Sequence, residues 1–212
     1  MRLDDFIKQV RGFPVIDTEN LFAGVTNLGP IQVQISRWCK SGKLIKLKNN
    51  LYLLSSHFRK LEVNEFYIAS LLKSPSYISL EKALEYYGFI PEAVSVYTSV
   101  TTKRPGKVLT PVGAFDYRHI KNDLFWGYKA LTFDKQLAFI AHPEKALLDF
   151  FYLKGLRVNS GYLSEMRLQN LGDINFERLF EFAKRFKSPG VSKVAKLIRE
   201  YAQEQRKEEK LL

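Results

Sequence analysis

The residues best suited to chemistry lie close together: Gln32, Val33, Gln34, Ser36, Arg37 and Lys40. Arginine pairs with guanine and glutamine with adenine; serine serves either base, and a small apolar side chain meets the thymine methyl. Wound at about 100° per residue, Ile31, Ile35, Trp38 and Cys39 fall on one side of a helix. Val33, Ser36, Arg37 and Lys40 fall on the other, with Gln32, Gln34 and Ser41 on the flanks. The apolar side has a core to face, and the polar side is free to enter a groove of duplex DNA. Lys43, Lys46 and Lys48 follow at once, as donors to phosphate or to the minor groove. From Asn20 to Leu61 there is no aspartate or glutamate to offset these cations.

The elements that would hold these residues can be read from the flanking sequence. Pro30 suits the first turn of the helix and Gly42 its end. Ile45 to Lys48 alternates apolar and basic, Asn49-Asn50 supplies a two-residue turn, and Leu51 to Leu54 returns. In that register Lys48 faces Leu51 and Leu47 faces Tyr52. Ile45, Leu47, Tyr52 and Leu54 would then share one face, with Lys46 and Lys48 on the other. Two helices precede this unit: Leu3 to Val10, and Asp17 to Phe22 with Asp17 as N-cap. Three helices and a basic hairpin describe a winged helix-turn-helix over residues 1–57. The polar stretch Ser55 to Leu61 reads as its boundary.

Residues 62–212 read as a second unit. Helices are expected over Asn64 to Lys73 and from the N-cap Ser79 to Gly88. A β-rich middle, 94–140, follows with strands at Val94 to Thr102, Val108 to Thr110, Ala114 to Ile120, Phe125 to Phe133 and Gln136 to Ile140, expected as an antiparallel meander. Helices fill 142–208: His142 to Leu153, Ser160 to Gln169, Asn175 to Phe186, and Ser192 to about Glu208. The expected class is α+β.

A second basic cluster, Lys103, Arg104 and Lys107, surrounds a Pro-Gly turn, with Arg118, His119 and Lys121 on a nearby strand end. It would suit an anionic partner. Within the helix after His142, Glu144 can complement the helix dipole, and Asp149 can pair with Lys145 one turn away.

The totals narrow the classes. The net charge of +11 favours polyanionic partners. Cys39 is the only cysteine, so this chain forms no internal disulfide and no cysteine-based zinc finger. The histidines, His57, His119 and His142, fit no metal-ligand spacing, and no P-loop, GxGxxG or GxSxG occurs. The chain is therefore expected to be no enzyme and to need no cofactor or metal. No apolar run reaches about 18 residues and the N-terminus lacks the pattern of a secretory signal, so a cytoplasmic protein without a membrane partner is expected.

Four stretches in order carry a resemblance: YISLEKALEYYGFIPEA (Tyr77 to Ala93), TSVTTKRPGK (Thr98 to Lys107), TPVGAFDYRHI (Thr110 to Ile120) and AHPEKALLDFFYL (Ala141 to Leu153). Together they resemble the core of the AbiE-type antitoxins, and ISRWCKSGKLIKLKNNLYLL resembles the amino-terminal winged domain of the same family. The resemblance spans roughly residues 1–155; Asn49-Asn50 stands where a glycine would be expected in the wing turn. It implies a type IV toxin–antitoxin regulator of the phage-resistance kind. The amino-terminal domain would repress its own operon at promoter inverted repeats, operator symmetry seating two protomers on the DNA. The carboxy-terminal domain would counteract a co-encoded nucleotidyltransferase toxin, without a stable complex being required. The other reading of the residues is a protein- or RNA-binding adaptor whose winged domain is only structural.

Overall fold

The computed structural model describes residues 1–155 and 158–209. The end of the expected second unit, 210–212, lies outside the described residues. The chain folds as a mixture of helices and two sheets.

The first α-helix, α1 (Leu3–Val10), turns Phe6 and Val10 inward and sets Asp4 and Asp5 in its first turn, where the helix dipole favours them. A short strand, β1 (Ile16–Asp17), leads into α2 (Thr18–Leu21), whose first turn is capped by the Asp17 carboxylate accepting from the Glu19 and Asn20 amides. The next helix, α3 (Gly29–Lys40), carries Pro30 at its opening turn and buries Ile35 and Trp38. Gly42 follows at φ +70°, a conformation glycine adopts without the penalty a Cβ would bring. The chain then forms the hairpin β2 (Leu44–Lys48) and β3 (Leu51–Leu54). Strand order is β1-β3-β2. Phe6 and Trp38, with ring centroids 4.9 Å apart, lock α1 to α3 over Val10, Ile16, Ile35, Leu44 and Leu54.

The hairpin corrects the expected register. Lys48 does face Leu51, but Lys46, not Leu47, faces Tyr52, because an irregularity falls between Lys46 and Lys48. Leu44, Tyr52 and Leu54 pack on the α1–α3 core, while Ile45, Leu47, Leu51 and Leu53 pack on the larger core of the following residues. Side chains still alternate along each strand; the hairpin is sandwiched because apolar residues stand on both of its faces, and the irregularity changes only which residues pair near the turn.

Beyond the hairpin come α4 (Glu65–Leu72), β4 (Ser76–Ile78), α5 (Leu80–Tyr86), β5 (Val96–Thr101), β6 (Gly106–Thr110), β7 (Gly113–His119), β8 (Tyr128–Phe133) and β9 (Gln136–Ala141). The helices α6 (Pro143–Lys154), α7 (Ser160–Glu165), α8 (Phe176–Arg185) and α9 (Pro189–Glu209) complete the order. The six strands form one sheet, β6-β7-β5-β4-β9-β8. It is not the expected meander. β7 lies between β5 and β6 and runs parallel to β5, and β4 runs parallel to β9. The strand β4 was not expected at all: its residues are all buried, so it shows no alternation. The stretch from Phe125 is strand only from Tyr128, because a 3-10 turn at Asn122–Leu124 precedes it. The expected helix Ser160 to Gln169 ends at Glu165.

Ser79 also departs from expectation. It stands at the N-cap position of α5, yet its hydroxyl donates to Asp149 (3.0 Å). The Thr98 hydroxyl accepts from the Lys82 amide in its place (3.0 Å). The attraction is a buried charge. Lys145 and Asp149 on α6 are fully buried and ion-paired, and the Tyr77 hydroxyl donates to Asp149 (2.9 Å). A buried carboxylate needs such donors.

Candidate nucleic-acid interface

The helix α3 presents the predicted surface. Gln32, Val33, Ser36, Arg37 and Lys40 are exposed, Gln34 is half-buried, and the opposite side is held by Ile35 and Trp38. Val33 is 51% exposed. An apolar side chain left in water between Gln32 and Arg37 gains from a partner that covers it. Arg37 and Lys40 lie in the last turn, where cations suit the helix dipole.

The hairpin lysines are arranged otherwise than alternation suggests. Lys48 donates its ammonium to the Leu72 carbonyl (2.9 Å), at the end of α4. Lys46 turns toward the α3 side, where it lies with Cys39 and Tyr52 along one cavity. The turn residue Asn50 is fastened as well: its carbonyl accepts from the Thr18 amide (2.9 Å) and its side-chain amide donates to Glu19 (3.3 Å). The hairpin is therefore short and bound to the body at its tip. Lys43, half-buried at the junction, donates its backbone amide to the Trp38 carbonyl (2.9 Å).

The second basic cluster adjoins the first. β2 packs beside β6, and the Lys73 ammonium donates to the Arg104 carbonyl (2.7 Å). Lys48, Lys73 and the loop with Lys103 and Arg104 thus run from the hairpin across the end of α4. Lys103, Arg104 and Lys107 are exposed, and among the described residues none has an ion-pair partner. Arg118 differs, since Asp116 neutralises it at 3.0 Å. His119 meets the Lys103 carbonyl at 3.2 Å, and Lys121 is exposed just before the 3-10 turn. In the sequence Lys73 is only the last residue of an expected helix. Its role depends on a loop far away in sequence, for which no local pattern exists.

Burial pushes the Cys39 thiol up, and Lys46 pulls it part of the way back. Half-buried on α3, Cys39 is a poor thiolate. Among the described residues no group of histidine, cysteine or carboxylate side chains could hold a metal ion, and no helix is long and apolar enough to cross a membrane.

The chain matches no protein-family model, and no curated protein matches it.

Proposed function

We propose that this protein is a DNA-binding autorepressor that also acts as the antitoxin of a type IV toxin–antitoxin pair. The observation that carries the DNA half is the exposed face of α3, with Gln32, Val33, Ser36, Arg37 and Lys40 turned away from the Trp38 core. The order α1-β1-α2-α3-β2-β3 with a β1-β3-β2 sheet supports reading this unit as a winged helix-turn-helix, with α3 as the recognition helix. Because the hairpin is short, and Lys48 and Lys73 are engaged with the Leu72 and Arg104 carbonyls, support for phosphate contact moves to Lys43 and the Lys103–Lys107 loop.

The antitoxin half rests on the family resemblance. The exposed, unneutralised cations Lys103, Arg104 and Lys107 are the surface offered to the nucleotidyltransferase toxin or to its nucleotide. A cytoplasmic regulator seated as two protomers on inverted repeats completes the proposal. The test is a salt series of binding to the protein's own upstream DNA against scrambled DNA of equal length. An excess for upstream DNA at physiological salt supports sequence readout; equal, steeply salt-dependent binding to both removes it. The antitoxin half is tested separately, by co-expression with the neighbouring toxin gene.

One observation favours an adaptor instead. Leu109, on the edge strand β6, is 80% exposed, and an apolar residue on an open edge suits an added strand from another protein.

A further inference from the structure

A cavity of about 420 Å³ opens between α2, α3 and the β2–β3 hairpin, within the size range of small-molecule sites. Phe22, Leu28, Ile31 and Ile35 form its apolar wall, and Tyr52 closes the hairpin side. Two charged side chains line it, Lys46 from β2 and Glu19 from α2. Neither has an ion-pair partner among the described residues, and they do not pair with each other. Among the described residues, Glu19 accepts only from the Asn50 side-chain amide. A cavity lined by one cation and one anion, neither ion-paired among the described residues, and by an apolar wall matches a zwitterion with an apolar side chain. The α-carboxylate would meet Lys46, the α-ammonium would meet Glu19, and the side chain would lie on Ile31 and Ile35.

We propose that this cavity binds a free apolar α-amino acid, and that its occupancy governs the presentation of α3. The second part rests on the DNA-binding reading above. Gln32 and Ser36 line the cavity and also border the exposed face of the same helix. A ligand seated against Ile31 and Ile35 therefore bears on the helix that carries Arg37. A simple carboxylate lacks a partner for Glu19, and a simple amine lacks one for Lys46, so the site discriminates against both.

Cys39 lines the cavity and is the only cysteine of the chain, which makes it a built-in reporter. The experiment follows the rate of Cys39 alkylation by a maleimide, without DNA. L-leucine, L-isoleucine, L-methionine and L-phenylalanine are compared with isocaproate and isopentylamine, the two halves of the leucine zwitterion. At a ligand concentration ten times the dissociation constant, alkylation is expected to slow roughly tenfold with at least one amino acid. Isocaproate and isopentylamine are expected to leave it unchanged. Lys46→Met and Glu19→Gln should each abolish protection, with circular dichroism confirming that both remain folded. The proposal is overturned if no amino acid protects Cys39, if isocaproate protects as well as leucine, or if protection survives both substitutions. Upstream-DNA affinity is measured in parallel, with and without the protecting amino acid. A protected cysteine with unaltered DNA affinity sinks the regulatory part alone. Loss of the repressor reading would show instead as absent sequence preference in ligand-free protein.

Discussion

The ammonium of Lys145 meets the carboxylate of Asp149 one helical turn away, and neither side chain reaches solvent. The Tyr77 hydroxyl accepts from Lys145 (3.1 Å) and donates to Asp149 (2.9 Å), so strand β4 and helix α6 share one polar knot in an apolar core. The rings of Trp126 and Phe186 flank the ammonium at 4.9 and 4.7 Å.

Lys145→Met leaves Asp149 buried with its charge unmatched. Breaking one side of such a pair costs about 3–5 kcal/mol, so urea unfolding should show a loss of that size. The double variant Lys145→Met, Asp149→Leu should recover much of it. Equal destabilisation of single and double variants would count against the pair as the cause.

Gly127 lies against the same lysine at φ +75°, and a Cβ there would come within 3.1 Å of Lys145 Cγ. Gly127→Ala therefore combines a left-handed backbone with a close approach in a packed interior. A loss of about 2 kcal/mol or more is expected, read from the urea midpoint. A neutral result would mean that this contact relaxes freely.

Burial raises the hydroxyl pKa of Tyr77, Tyr87 and Tyr117 above the ordinary tyrosine value, helped at Tyr77 by Asp149. A group whose folded pKa is raised binds more protons folded than unfolded above its ordinary pKa, so its stabilisation is complete below about pH 10 and is lost as pH rises. Ultraviolet titration should therefore show these tyrosines ionising only together with alkaline unfolding. Smooth ionisation in a protein that stays folded by circular dichroism would contradict it.

Arg37→Ala is expected to lose roughly 1–3 kcal/mol at one base of the operator while leaving scrambled-DNA affinity nearly unchanged. Binding to single-base operator variants checks this. If operator affinity is untouched, Arg37 does not read a base.

Replacing Lys103, Arg104 and Lys107 together by alanine should weaken binding to all DNA sequences alike and reduce the salt slope, by up to about one per lost phosphate contact. Protection in toxin co-expression is scored in the same variant. An unchanged salt slope with lost protection would assign this loop to the toxin alone; no change in either would make it a solvated turn.

Local pattern carried the helices and the exposed face of α3. The spacing of Leu3, Phe6, Ile7 and Val10, the cap at Asp17, Pro30 and Gly42 are properties of a few adjacent residues, and the chain obeys them. The pair Lys145 and Asp149 was legible too, as one turn of helix, though its burial was hinted at only by two charges set within an apolar run. Strand order was not legible. Whether β7 enters between β5 and β6, or Ile78 lies beside Ile140, depends on contacts between distant residues that leave no period in the sequence. The same is true of Lys48 on Leu72, Lys73 on Arg104, and Ser79 on Asp149. In each, a side chain read locally as free or as a cap takes a distant partner, because packing brings close an acceptor more demanding than any local one. Sequence alone thus determined which helix face is polar and where the cations lie. Tertiary structure decided which cations remain free, because a lysine is freed or engaged by whatever carbonyl or carboxylate the fold sets beside it.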